Sequence, residues 1–209
     1  MKLFLKLSAI IALGLAAQAA DGSSLKPPPG ARVAIVMFED LECPDCARAY
    51  PLVRETANAH QVPVVLRDFP LAHHLWSFDA AVFARYFDTK SEKLGNDFRG
   101  FIFQNQPQIT RENLRQYVQK FADDNKTPLP SDPDPQGKLK EKVLADRDLG
   151  SQIGLQHTPT IFVVSSGDVA AVEVTDRSQL SQIVQDMLQK SPAKAPAKPT
   201  STRTRKKVY

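Results

Sequence analysis

The chain has 209 residues, and Lys and Arg outnumber Asp and Glu by 27 to 23, which gives a net charge of +4. The excess lies at the ends, because residues 1–19 and 191–209 hold eight basic residues and no acid, so the part between them has a net charge of −4. A basic pI therefore says nothing about the folded part. No aromatic residue is interleaved with the basic residues of the tail, so we predict no nucleic-acid partner.

Residues 1–19 have the pattern of a secretory signal peptide. A short basic start with Lys2 and Lys6 precedes an apolar stretch and the small residues Ala17 and Ala19, so we predict cleavage after Ala19 and a periplasmic or secreted protein. The alternative is a membrane anchor, but Lys6 shortens the apolar run below the roughly 20 residues that a spanning helix needs. We expect residues 20–30 to form a linker that precedes the folded domain.

The first half of the domain is predicted over residues 31–72. The apolar run 33–38 is typical of a strand covered on both faces, residues 44–60 have a helical pattern, and the β-branched stretch 62–69 indicates a second strand. A strand, a helix and a strand at this spacing predict a parallel βαβ unit.

Residues 73–135 predict a helical insertion followed by a proline-rich loop, which has four prolines in positions 128–135. The second half of the domain follows over residues 136–190, with a helix at 138–152, a strand at 160–164, a hairpin partner at 169–174 and a final helix at 177–190. The fold class is therefore α/β, with a mixed central sheet and helices on both faces. Residues 191–209 are rich in Pro, Ala, Lys and Arg, so we expect a disordered basic tail that is simply solvated or attaches loosely to an anionic surface.

Cys43 and Cys46 are the only cysteines of the chain, and they stand at the start of the first predicted helix. Free N–H groups in the first helical turn favour negative charge and thus the thiolate of Cys43. Cys46 lies one turn deeper, so we expect Cys43 to meet the substrate and Cys46 to close or open the internal bond. Pro44 suits the first helical position, where its missing N–H is not needed. The pair predicts redox chemistry.

Three other interpretations of the pair remain. A structural disulfide across two intervening residues would constrain the unfolded chain little. A copper or zinc carrier would use the cysteines with His73 or His74, although the chain lacks the second Cys pair that structural zinc usually requires. Two cysteines buried there by chance are the third interpretation. We predict no metal and no cofactor.

The segment around Thr158 and Pro159 is a second candidate site. A proline cannot donate to a sheet ladder, so Pro159 suits the first position of the strand that follows. The backbone of Thr158 is a candidate for pairing with an extended substrate segment. The alternative is an ordinary trans proline that begins a strand.

The sequence FEDLECPDC, the helical insertion and HTPTIFV together resemble the DsbA-like branch of the thioredoxin superfamily, over residues 30–190. The resemblance implies a thioredoxin fold with an inserted helical subdomain and the activity of a thiol:disulfide oxidoreductase. It also implies that Cys43 is the nucleophile, that Cys46 is the resolving cysteine, and that Thr158–Pro159 is a cis pair beside them. The implied partners are thiol-containing protein substrates and a membrane reoxidant that passes electrons to quinone.

Two departures from the family pattern bear on the redox chemistry. Asp45 stands where the best-known oxidases have histidine, and Glu39, Asp40 and Glu42 add negative charge nearby. Carboxylates disfavour a thiolate, so we expect Cys43 to be less acidic and the disulfide to be less oxidising than in the strongly oxidising members. Met37 stands where some relatives carry a buried acid, which removes a proton shuttle from that position.

The sequence leaves the direction of disulfide exchange open. The protein is an oxidase, an isomerase or a reductase that serves another envelope protein, and no segment that would drive dimerisation precedes the domain, so we expect a monomer.

Overall fold

The computed structural model describes residues 20–191, and the predicted signal peptide and nearly all of the predicted tail lie outside them. Ser191 is the exception within the predicted tail: it is buried, and its carbonyl accepts a hydrogen bond of 2.9 Å from Arg32. None of the helices within residues 20–191 combines the length and the apolar character needed to cross a bilayer.

A four-stranded mixed sheet forms the centre of the domain. Its strands are β1 (Val33–Glu39), β2 (Val64–Asp68), β3 (Thr160–Ser165) and β4 (Val172–Glu173), in the order β2-β1-β3-β4. The pair β1–β2 is parallel, whereas β1–β3 and β3–β4 are antiparallel. Every residue of β1 is buried, which fits its continuous apolar run and its central position. The predicted α/β fold is confirmed, although β4 is shorter than the predicted strand at 169–174.

Within residues 20–191, six α-helices surround the sheet. They are α1 (Pro44–His60), α2 (Ser77–Asp88), α3 (Glu92–Asn105), α4 (Leu114–Asp124), α5 (Lys138–Gln152) and α6 (Leu180–Lys190). Helices α2, α3 and α4 occupy the region predicted as the insertion, and the proline-rich loop separates them from α5.

The two faces of the sheet have separate hydrophobic cores. Ile35 and Met37 of β1 pack with α1, α6 and the inserted helices. The neighbouring residues Val36 and Phe38 point to the opposite face, as the alternation of side chains along a strand requires. Cys43 and Cys46 belong to the first of these cores and follow the end of β1.

Part of the stretch 20–30, which we predicted to be a linker, packs on the folded domain. This segment packs on the second face of the sheet: Leu25 is buried there, and the amide of Asp21 donates to the carbonyl of Ile153 over 2.8 Å. A Cβ on Gly22 would come within 2.7 Å of the Phe162 ring, so the backbone lies directly on the sheet. The single apolar side chain of Leu25 among prolines carried no periodic signal, which is why the sequence pattern indicated a linker.

Candidate redox site

The two cysteines lie where β1 passes into α1. Cys43 is the N-cap of α1, with an extended backbone, and Pro44 begins the helix. Both cysteines are free thiols. Cys43 retains 7% of its accessible surface and Cys46 retains none. Cys43 is therefore the thiol nearer to solvent, and Cys46 lies behind it.

The segment containing Thr158 and Pro159 lies directly against Cys43. The Thr158–Pro159 peptide is cis. The Cys43 thiol donates to the Thr158 carbonyl over 3.4 Å, across 115 positions of sequence. The hydroxyl of Thr158 is buried and donates to no other group within residues 20–191 while Cys43 is a neutral thiol, so it is available to donate to the Cys43 thiolate. The fold thus brings together both segments that the sequence singled out.

Hydrogen bonds to the Cys43 sulfur stabilise its thiolate. The bond from the Cys46 thiol has the largest effect, and the Thr158 side chain and the amides of Cys46 and Asp45 add smaller ones. Together these bonds outweigh burial, which acts in the opposite direction, and lower the pKa of Cys43 to about 5. Burial raises the pKa of Cys46 well above its usual value. The amide of Asp40 donates to the Cys46 sulfur over 3.4 Å. The Cys43 thiol therefore ionises readily, whereas the Cys46 thiol keeps its proton.

Asp45, between the two cysteines, is paired with two arginines. Its Oδ1 accepts from Arg177 Nη2 at 2.9 Å and from Arg48 Nη2 at 3.1 Å. Partial burial opposes ionisation, but these guanidinium groups hold the pKa of Asp45 below its usual range. Sequence reasoning treated Asp45 as an unpaired negative charge beside the thiolate and missed Arg177, because nothing in the local pattern connects positions 45 and 177. That Cys43 is less acidic than in strongly oxidising relatives stays a prediction.

Glu39 is a buried carboxyl group at the end of β1. Desolvation raises its pKa to about 8, although the nearby Arg99 guanidinium opposes this shift. Arg99 Nε lies 3.0 Å from Glu39 Oε1 but is not aligned for a hydrogen bond. Arg99 instead makes a two-bond contact with Asp88, at 2.8 and 3.0 Å. At neutral pH Glu39 thus adds little of the negative charge that the sequence pattern suggested.

The other two acidic residues of the loop hold neighbouring backbone. Asp40 accepts from the amide of Leu71 and from His74 Nδ1, both at 2.7 Å. Glu42 Oε2 accepts from the amides of Trp76 and Ser77, at 2.7 and 3.0 Å, where α2 begins. These carboxylates fasten the loop before Cys43 to the entrance of the insertion.

Gln106 is a functional candidate that sequence reasoning missed. It follows α3, and its buried Nε2 donates to the carbonyls of Leu41 and Cys43 at 2.8 and 3.1 Å. The insertion thereby holds the loop that carries the nucleophile. A buried glutamine has no local sequence signature, so only the packing of α3 against the loop shows this contact.

An open groove of about 220 Å³ begins at Asp45, the residue before Cys46. Asp45 and Arg177 line one part of it, and His157, Pro159 and Glu173 line another. A segment lying in this groove would pass alongside the Thr158 backbone. The groove is polar and charged.

The histidines that a metal carrier would use have other neighbours in the structure. His74 is bound to Asp40, and the ring of His73 packs on that of His74 with centroids 4.4 Å apart. Residues 20–191 contain no group of three or more His, Cys, Asp or Glu side chains arranged to hold a metal ion.

The chain matches the thioredoxin family model over residues 28–186. No curated protein sequence matches it well enough to count as a relative. Solved structures are similar to it in fold, at sequence identities of about one fifth.

Three of these structures illustrate the similarity. The thiol-disulfide exchange protein α-DsbA2 from Wolbachia pipientis has a TM-score of 0.61 and 20% identity, over 78% of this chain and 86% of that one. ScsC from Proteus mirabilis, in a transitional conformation, has a TM-score of 0.62 and 19% identity, over 78% and 71%. A periplasmic thioredoxin-like protein from Salmonella enterica serovar Typhimurium has a TM-score of 0.61 and 20% identity, over 77% and 87%.

Proposed function

Since the chain belongs to the thioredoxin family, we propose that it is a thiol:disulfide oxidoreductase that exchanges disulfides with protein substrates through Cys43 and Cys46. The observation that carries the proposal is the position of the Cys43 sulfur. It lies at a helix N-terminus, 3.4 Å from the Thr158 carbonyl, with the Cys46 thiol behind it. This arrangement provides an ionisable nucleophile, a resolving thiol and a backbone edge for an extended substrate.

The exchange in the oxidising direction has two steps. A substrate thiolate attacks Cys43 in the Cys43–Cys46 disulfide, so that a mixed disulfide forms and Cys46 leaves and takes up a proton. A second substrate thiolate then attacks the substrate sulfur of the mixed disulfide and releases Cys43 as a thiolate. The substrate loses two electrons and the protein gains them. In the reducing direction Cys43 attacks a substrate disulfide, and Cys46 resolves the mixed disulfide.

The proposed location is the periplasm or the extracellular space. The signal-peptide pattern of residues 1–19 supports it, as does the fold similarity to a Salmonella protein described as periplasmic. The proposed substrates are thiol-containing proteins, and a quinone-linked membrane partner would reoxidise the pair. We propose a monomer, which the elution volume of the purified protein will test.

Single cysteine variants test the proposed activity. Cys43→Ser is expected to abolish disulfide exchange with a reduced, unfolded model protein, since it removes the nucleophile. Cys46→Ser is expected to accumulate a mixed disulfide with a substrate that itself carries a disulfide, because the Cys43 thiolate attacks that bond and no resolving thiol remains. Exchange at the wild-type rate in Cys43→Ser would refute the proposal.

The reduction potential of the Cys43–Cys46 couple against glutathione determines the direction. A value near the roughly −120 mV of strong oxidases would assign oxidation, and a value near the roughly −270 mV of thioredoxin would assign reduction. We expect an intermediate value, less oxidising than that of the strongest oxidases, because the Cys43 pKa of about 5 lies between the roughly 3.5 of such oxidases and the roughly 7 of thioredoxin.

A further inference from the structure

Arg177 joins the start of the last helical segment to the dipeptide between the two cysteines. It begins the short 3-10 turn Arg177–Gln179 that leads into α6, and it reaches Asp45 across 132 positions of sequence. Its Nη2 donates to Asp45 Oδ1 at 2.9 Å, and its Nη1 donates to the Asp45 backbone carbonyl at 3.3 Å. The second contact distinguishes Arg177 from Arg48, which is bonded to the carboxylate alone.

The carbonyl that Arg177 contacts belongs to the same peptide group as the Cys46 amide. That amide is one of the groups that stabilise the Cys43 thiolate and lower its pKa, although the neutral thiol accepts no capping hydrogen bond from the first turn. A cation at the carbonyl oxygen polarises the peptide and makes its N–H a stronger donor, since linked hydrogen bonds reinforce one another. The guanidinium group therefore acts on the Cys43 thiolate through one peptide group, whose carbonyl it binds and whose N–H stabilises the thiolate.

The carboxylate contact acts in the same direction. An unpaired Asp45 side chain, two residues from Cys43, would disfavour a second negative charge on the sulfur. Pairing with Arg177 cancels most of that repulsion.

We propose that Arg177 is a positioning residue for the proposed disulfide exchange: it neutralises the Asp45 carboxylate and strengthens the Cys46 amide as a donor to the Cys43 thiolate. The inference rests on the proposed function and extends it. It also explains how a chain with an acid between its cysteines keeps an activated nucleophile.

The same contact faces the groove beside Pro159. Asp45, His157, Glu173 and Arg177 are the charged or titratable groups that line this groove. Arg177 is 36% exposed at its side chain, so water screens the ion pair in the free protein. A substrate segment in the groove would cover the pair, exclude that water and strengthen the effect on Cys43.

Replacement of Arg177 by Met tests the inference with two readouts, thiolate absorbance against pH and the equilibrium with glutathione. We expect the pKa of Cys43 to rise by about half a unit, a modest shift because the pair is partly exposed. The equilibrium should move about threefold towards the disulfide form, because the reduced form loses thiolate stabilisation. Unchanged values in a folded Arg177→Met protein would overturn the inference and leave Arg177 as a structural link between α6 and α1.

Two further variants separate the two contacts. Arg48→Met removes only a carboxylate contact and should shift the pKa of Cys43 less than Arg177→Met does. In an Asp45→Asn background, Arg177→Met should still raise that pKa, because the carbonyl contact remains to be lost; no shift there would overturn the role of the peptide. Arg147→Met, on the exposed face of α5, is the matched control for loss of one positive charge.

Two outcomes need separate interpretation. Should Arg177→Met fail to fold, Arg177→Lys replaces it in the test, since lysine keeps the charge but cannot make both contacts of the guanidinium group. Arg177→Lys should raise the pKa of Cys43 by a smaller amount. No rise in that pKa would overturn the inference. A wild-type protein that exchanges no disulfide with glutathione refutes the proposed function. Normal exchange with identical behaviour in Arg177→Met refutes only this inference.

Discussion

The groups that favour the Cys43 thiolate in its nearly closed environment come from three parts of the chain. The Cys46 thiol and the amides of the first turn belong to α1, the Thr158 side chain belongs to the loop before β3, and Arg177 acts from the start of α6. Burial alone would raise the pKa of the thiol. The acidity of this residue is therefore a property of the assembled fold.

The Thr158 hydroxyl is expected to lower the pKa of Cys43. Thr158→Val keeps the shape of the side chain but removes the donor, so the pKa of Cys43 should rise by about half to one unit. The rate of alkylation of the reduced protein against pH measures this shift. Thr160→Val is the matched control, since the Thr160 hydroxyl donates to the His157 carbonyl and not to the sulfur. An equal shift in both variants would contradict the assignment.

Glu39 provides a second prediction, on the pH dependence of stability. Its pKa is about 8 in the folded protein and near 4.5 when unfolded, so the folded state binds the extra proton between these values. The free energy of unfolding should therefore fall as pH rises from about 5 to 8, by at most about 1.4 kcal/mol per pH unit from this group. Glu39→Gln should flatten this decline in denaturant titrations. Exposed Glu55→Gln is the control, and parallel profiles for Glu39→Gln and wild type would contradict the prediction.

The inserted helices have a mechanical role at the scale of elements. Gln106, at the end of α3, binds the carbonyls of Leu41 and Cys43, while Glu42 binds the first amides of α2. The loop that carries the nucleophile is thus held by the insertion on both sides. We infer that the insertion keeps the Cys43 sulfur in register with Thr158.

Gln106→Ala tests this role of the insertion. The substitution removes the hydrogen-bond donor of two buried carbonyls, so the free energy of unfolding should fall by about 1–3 kcal/mol. The loop should also become more mobile, which faster hydrogen exchange at Leu41 and Glu42 would report. The exposed residue Gln108 lies two positions away, and Gln108→Ala should change neither measurement. Unaltered exchange in Gln106→Ala would show that the insertion does not hold the loop.

At the scale of the whole molecule, ionisation of Cys43 is linked to stability. The pKa of this thiol is about 5 in the folded state and near 9.0 when unfolded, so the folded state releases the proton first. The stabilisation that this pKa difference gives the folded state is fully present above pH 9 and is lost as pH falls through 5. At pH 7 it amounts to about 2–3 kcal/mol.

The reduced wild-type protein should therefore gain stability over Cys43→Ser as pH rises from 5 to 8. Denaturant unfolding of both proteins at each pH measures the difference. A constant difference across this range would mean that the thiol does not ionise in the folded state.

Much of this molecule could be predicted from local sequence patterns. The apolar run of β1, the cysteine pair at a helix start and the Thr158–Pro159 step each have a signature within a few residues. The contacts that tune the site have no such local signature, because they join positions 60 to 132 apart. They are Arg177 with Asp45, Gln106 with Cys43, and Glu39 with Arg99. Such contacts depend on how the insertion and α6 dock, and local periodicity carries no information about that.

The most direct test of the account is alkylation of the reduced protein by iodoacetamide across pH 3 to 9, with the modified residue identified by mass spectrometry. We expect a single modified cysteine, Cys43, with a midpoint at a pH of about 5. A midpoint near the ordinary thiol value of 9.0, or equal modification of Cys46, would contradict it.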